Sequence, residues 1–245
     1  MNELEINRKN WWILIPILAV IISILLYRFY DRAAEVKRIE PYVANLQNED
    51  AYLVAESLLE IRKAELYAED YIDKIISLLG DEREVPEEIT KRPDYNIAIP
   101  IPSWLKGMKE IYIGDLAAAA LIAIGSPASG GLLYSESHKQ IKIQRRISKA
   151  LEKVFRDGTS EQKKDAIRVI NITRVEENLP VIASLLQDED PEVRSSALGL
   201  YISYAPLFDI SLDIYNIGNM AKHDEDEAVR FMANKVLAIV NKSNR

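Results

Sequence analysis

The sequence predicts an all-α chain, an α-solenoid of stacked antiparallel helix pairs preceded by one N-terminal transmembrane helix. Three observations carry that expectation. A charge-free run, WWILIPILAVIISILLY, extends from Trp11 to Tyr27. Three segments of the C-terminal half repeat the same residue types at the same offsets. The composition favours helix: only nine Gly and ten Pro occur in 245 residues, many in one stretch, so runs of Ala, Leu, Ile, Glu and Lys continue unbroken.

With the apolar run set aside, a hydrophobic content of 48% leaves material for one core, and a single unit of roughly 210 residues is expected. The absence of cysteine excludes disulfides, thiolate metal sites and a cysteine nucleophile. A net charge of −7 argues against a nucleic-acid partner, since such proteins neutralise phosphates with a basic surplus. Residues 31–100 and 176–245 are acidic, and the stretch between them is basic.

The apolar run is read as a transmembrane anchor over residues 11–30, behind a tail of residues 1–10. Seventeen helical residues reach about 26 Å, just enough to cross a bilayer. Trp11 and Trp12 at one end and Tyr27, Phe29 and Tyr30 at the other resemble interfacial belts. A cleaved signal peptide is the alternative, but Ala33 and Ala34 follow only after Arg28, Asp31 and Arg32. Arg28, Arg32, Lys37 and Arg38 on one flank, against Arg8, Lys9 and the α-amine on the other, lean towards a cytoplasmic domain of a single-pass cell-membrane protein. A short basic tail also begins many export anchors, so the side stays open.

The repeat aligns Asp157–Ala166 (DGTSEQKKDA), Asp188–Ala197 (DEDPEVRSSA) and Asp224–Ala233 (DEDEAVRFMA), with starts 31 and 36 residues apart. In each, an aspartate opens the segment and a helix-capping residue follows two later: Thr159, Asp190, Asp226. A basic residue comes at six (Lys163, Arg194, Arg230) and alanine at nine (Ala166, Ala197, Ala233). The capping residues suit the free amides of a starting helix, and Pro191 sits where a first-turn proline is tolerated. A basic residue so near a helix start calls for a carboxylate, which Asp190 for Arg194 and Asp226 for Arg230 would supply at i,i+4. Alanine permits close approach of a neighbouring helix. An amphipathic segment precedes each turn (Ile141–Phe155, Leu179–Leu186, Phe208–Ala221), so each unit is a helix pair, and such pairs stack.

On these residues the chain resembles the HEAT-repeat family, including the HEAT-like repeats of phycobilisome lyases. The resemblance is carried by Leu179–Ile202 (LPVIASLLQDEDPEVRSSALGLYI) and His223–Val240 (HDEDEAVRFMANKVLAIV). Ile141–Ile172 departs from it with Gly158 and two lysines. Leu116–Ala128 looks like the second helix of a further unit without its basic residue, and Gln47–Ile61 like a still weaker copy, so the number of repeats before residue 141 stays open. The resemblance implies a curved stack used as a docking surface. It implies no single activity.

Residues 31–80 are thus read as N-terminal helices holding a degenerate repeat, 81–107 as a proline-rich irregular loop, and 108–245 as the repeat region. Convergent chemistry is sparse. His138 and His223 are the only histidines, and neither sits in a zinc motif. The Ser103–Lys106 and Ser160–Lys163 spacings lack the companion motifs of acyl-transfer enzymes. No catalytic, cofactor or metal residue is assigned. A basic stripe is the stronger candidate: Lys142, Arg145, Arg146, Lys149, Lys153 and Arg156 recur at three- and four-residue steps opposite Ile143, Ile147, Leu151 and Val154. It would suit an acidic protein or anionic lipid. The expectation is a membrane-anchored, non-enzymatic scaffold or adaptor for an unidentified protein partner. The alternatives are an accessory subunit of a larger membrane complex, or a hydrolase or lyase with an unrecognised site.

Overall fold

The structure, a computed structural model, describes residues 11–92, 95, 110–126 and 134–243. Among them are eleven α-helices and no strand; one isolated antiparallel bridge pairs Glu84 with Tyr112. The helices are α1 (Trp11–Asn45), α2 (Ala51–Lys63), α3 (Ile72–Ile76), α4 (Glu87–Thr90), α5 (Ile113–Gly125), α6 (Tyr134–Asp157), α7 (Ser160–Thr173), α8 (Leu179–Leu185), α9 (Pro191–Tyr204), α10 (Ile214–His223) and α11 (Glu227–Ser243). A 3-10 stretch, Glu65–Tyr71, leads into α3.

The helices begin where capping chemistry allows. Asp50 accepts from the Tyr52 amide at the start of α2, and Asp190 from the Glu192 amide at the start of α9, where Pro191 opens the helix. Thr159 and Gln162 bond reciprocally at the start of α7, satisfying two free donors. Asp226 accepts from the Val229 amide in α11. Helix α7 ends at Arg174, whose φ of 42° turns the chain left-handed.

Two rows of elements result. In one, α2 packs on α5, α5 on α7, α7 on α9 and α9 on α11. In the other, α1 backs α2, residues 65–76 back α5, α6 backs α7, α8 backs α9 and α10 backs α11. The core lies between the rows. Helix α5 is buried along its whole length, and its run Ala117–Ala120 lets backbones approach from both sides. Ala166, Ala197 and Ala233 are all at 0% exposure, each at the same depth of its helix. A buried polar knot ties neighbouring pairs: the Tyr204 hydroxyl donates to the Ile170 carbonyl at 3.0 Å and accepts from Asn178 Nδ2 at 2.9 Å. Burial pushes that phenol up to about 12.

The helix that opens with the apolar run is longer than that run. Helix α1 does not stop near residue 30 but runs on to Asn45, where Ile39, Val43 and, just beyond, Leu46 enter the core. Among the described residues no helix is long and apolar enough to cross a membrane. Of the irregular loop, residues 93–94 and 96–107 lie outside the described residues; residues 81–92 form a bridge and the short α4 instead of featureless coil.

Candidate functional site

The most exposed apolar surface is the N-terminal half of α1. Twelve large apolar side chains from Ile15 to Tyr30 are between 46% and 76% exposed, on every side of the helix. A helix that is apolar all round has no polar face to give to water. Where it meets the rest of the protein, polar groups clamp it. Tyr67 donates its hydroxyl to Asp31 at 3.1 Å, and Arg32 pairs with Glu69 at 2.7 Å and Asp70 at 3.8 Å. Lys139 of α6 reaches the same Glu69 at 3.3 Å. Further on, Arg38 joins Glu60 of α2 at 3.0 Å. The apolar half and the packed half are one helix, so no linker separates them.

A second feature recurs along one edge of the stack. The amide of Asp190 donates to Asp188 Oδ1, that of Asp226 to Asp224 Oδ1, and that of Asp50 to Asn48 Oδ1, at 2.9 to 3.0 Å. A guanidinium then closes each turn. Arg194 Nη1 donates to the carbonyls of Asp188 and Glu189, and Arg230 Nη1 to those of Asp224 and Glu225. In the first turn Val54 stands at that offset, and Arg83, from another segment, supplies Nη1 to the carbonyls of Asn48 and Glu49 at 2.8 and 2.9 Å.

The remaining nitrogens link one turn to the next. Arg194 Nε and Nη2 grip both carboxylate oxygens of Asp224, at 3.0 and 2.8 Å. Arg83 grips Asp81 in the same way, and Lys163 reaches Asp188 at 2.7 Å. The i,i+4 pairing of Arg194 with Asp190 is therefore replaced by a pairing across modules. The reason is that Asp190 and Asp226 are occupied as caps, accepting backbone amides, while the carboxylate of Asp224 faces the arginine. Burial alone would raise the Asp224 carboxyl, but the Arg194 guanidinium and the Asp226 amide hold it below the usual carboxylate range.

Between the N-terminal elements and α7 lies a cleft of ≈ 500 Å³ lined by Gly80, Glu82, Tyr112, Asp115, Glu161, Asp165 and Arg168, among others. Asp115 and Asp165 are buried, and Arg168 Nη1 donates to both, at 2.7 and 2.6 Å. Asp165 Oδ2 also accepts from the Gly80 amide at 2.9 Å, and Asp115 Oδ2 from the Tyr112 amide at 2.9 Å. Desolvation pushes the Asp165 carboxyl up to about 6 against the opposing pull of Gly80 and Arg168. Gly80 adopts a φ of 72°, and Gly114 leaves Asp165 room that a β-carbon would fill. No group of three or more metal-ligating side chains is found among the described residues.

The basic stripe lies on α6, with Lys142, Arg145, Arg146, Lys149, Lys153 and Arg156 all exposed. Neighbouring carboxylates already engage half of it. Arg145 pairs with Glu177 at 2.8 Å, Arg146 lies 3.9 Å from Asp70 and 3.8 Å from Asp73, and Arg156 pairs with Asp157 at 3.2 Å. Lys142, Lys149 and Lys153 are the stripe's cations without an ion pair among the described residues. Lys163 of the Ser160–Lys163 spacing is committed to Asp188. Ser103–Lys106 lies outside the described residues, as does the side chain of His138. His223 is exposed and lines a polar cleft with Asn216, Asn219 and Arg194.

Sequence reading missed Arg83, Asn48 and the Asp115–Asp165–Arg168 cluster. The NED at residues 48–50 repeats the spacing of DED, which is a usable signal; Arg83 lies 35 residues from its partner carbonyl and leaves none. Comparison with known proteins finds no family model that matches the chain and no curated protein that does.

Proposed function

We propose that the chain is a membrane-anchored HEAT-like scaffold or adaptor that holds a protein partner at the bilayer, as a single-pass protein of the cell membrane with its helical domain on the cytoplasmic side. The observation that carries the reading is the bare apolar half of α1, continuous with a helix that is buried at its other end. In the sequence, Trp11–Leu14 extend the apolar run to seventeen residues, about 26 Å of helix with aromatic residues at both ends. Water offers such a surface nothing, and lipid offers it burial at roughly 25 cal/mol per Å². The HEAT-like reading is supported by the turns at residues 48–50, 188–190 and 224–226, which carry the same side-chain and guanidinium bonds.

Rigid continuity of α1 gives the anchor a mechanical role beyond tethering. The Asp31–Tyr67 and Arg32–Glu69 contacts fix the stack's angle to the membrane, so its edges face a constant direction while the bilayer raises local concentration. The test is alkaline carbonate extraction of membranes. The full chain is expected in the pellet, and Ile21→Asp with Leu25→Asp in the supernatant, each aspartate costing about 3 kcal/mol at a span's centre. Release of the unaltered chain by carbonate overturns the anchor. Affinity purification after gentle solubilisation is expected to recover a stoichiometric protein, and recovery of the chain alone overturns the scaffold.

A second reading, an accessory subunit of a larger membrane complex, is favoured by the groove of ≈ 550 Å³ along Ala19, Val20, Ser23, Ile24 and Tyr27, down to Asp31 and Tyr67. Small residues there leave space for a neighbouring helix.

A further inference from the structure

The turn-to-turn linkage stops unevenly at α11. Arg194 uses three nitrogens: Nη1 for its own turn, Nε and Nη2 for the aspartate that opens the next. Arg230 repeats the first half of that pattern, with Nη1 on the carbonyls of Asp224 and Glu225. Its Nε and Nη2 meet no acceptor among the described residues. A guanidinium fixed at one edge by two carbonyls cannot swing away, so its other edge is held in the orientation that takes a carboxylate two-pronged.

The surrounding face differs from the equivalent face of α9. Leu198 and Tyr201, both at or near zero exposure, correspond by the same 36-residue offset to Asn234, which is exposed, and Leu237, which is half-buried; Ala205 corresponds to the exposed Asn241. Such a face stays soluble when bare. It nevertheless keeps the arginine, and Phe231 beside it is 59% exposed with Lys235 Nζ 4.4 Å from its ring centroid. A polar cap with one pre-aimed guanidinium and one exposed ring suits contact that forms and releases.

We propose that the α11 end of the stack is a docking surface for a partner protein presenting a helix opened by an aspartate, whose carboxylate takes Nε and Nη2 of Arg230 as Asp224 takes those of Arg194. The occupant is a different polypeptide and not a second copy in line: this chain's turn at residues 48–50 offers Asn48 at the matching position, a neutral amide with one oxygen where Asp224 presents two carboxylate oxygens to Arg194. The inference deepens the scaffold reading by naming the chemistry of a partner. Its test reads Arg230 directly and is independent of membrane retention, so either can fail alone.

The probe is a synthetic peptide of residues 188–204, which carries the aspartate-opened helix, and its counterpart with Asp188→Asn. Each is titrated into the full-length, 15N-labelled chain in mild detergent while the Arg230 Nε–H resonance is followed. Expected is a saturable shift with the aspartate peptide, at least tenfold weaker with the asparagine peptide, and loss in Arg230→Gln of the accompanying shift of the neighbouring Phe231 amide. No shift up to millimolar peptide, or equal shifts with both peptides, overturns the proposal. A shift that grows with the chain's own concentration, without peptide, makes a second copy the occupant and overturns it too. The two peptides act on the same unaltered chain, so the comparison stands even if Arg230→Gln unfolds.

Discussion

Replacing Arg194 by alanine removes the guanidinium that joins two modules, and the structure sets the size of the loss. The side chain is 10% exposed and its partner Asp224 9%, so solvent screens the pair little. Truncation leaves the Asp224 carboxylate buried beside only the Asp226 amide and the charge of Arg230, and it deprives the carbonyls of Asp188 and Glu189 of their donor. Breaking a buried pair by removing one partner costs about 3–5 kcal/mol, a large part of a domain's total of about 5–15 kcal/mol. We expect a loss of about 3 kcal/mol. In urea, with a slope of about 2 kcal/mol per molar, the midpoint falls by roughly 1.5 M. The assay is equilibrium unfolding of the full chain in mild detergent, followed by far-ultraviolet circular dichroism. The Asp224→Ala and double variants complete a cycle whose coupling is expected above about 1 kcal/mol. The acid limb gives an independent check. The folded Asp224 carboxyl is held below its unfolded value, so its contribution is present above that unfolded value and is lost as pH falls through the folded one. Arg194→Ala should flatten that limb. A midpoint loss under about 0.5 M, or additive single variants, refutes the linkage as a source of stability.

Asp165 has the opposite sign. Its folded carboxyl is raised to about 6, so its contribution is fully present below the unfolded value and is lost as pH rises through about 6; Asp165→Asn should remove the decline in urea midpoint between pH 4.5 and pH 7, and an unchanged slope counts against the buried-carboxylate account. Gly114→Ala places a β-carbon 2.6 Å from Asp165 Oδ2 and 2.8 Å from the Gly80 amide; a loss of about 1–3 kcal/mol in the same unfolding assay is expected, and a neutral outcome means the cleft opens freely.

Much of the fold was legible because its signals are local. Capping residues at Thr159, Asp190 and Asp226 act within three residues, and Ala166, Ala197 and Ala233 stand one helical face away from them. The apolar run from Trp11 was equally plain, as was the basic face of α6. Their environments were not. The sequence placed six cations on one stripe; Arg156 finds its partner in the adjacent Asp157, but only the packing of Glu177, Asp70 and Asp73 against α6 pairs Arg145 and Arg146.

Composition and periodicity by themselves determined that the chain is helical, where its C-terminal helices start, and that one segment carries no charge over seventeen residues. These are properties of near neighbours, governed by caps, propensity and hydropathy along a few turns. Only the tertiary structure decided what each charge does. Arg194 bonds 30 residues away, Arg83 closes a turn 35 residues behind it, and Arg168 serves carboxylates 53 and three residues distant. A guanidinium is long and forked, and a desolvated carboxylate must be matched, so such groups choose partners by proximity in space, which spacing along a chain does not encode.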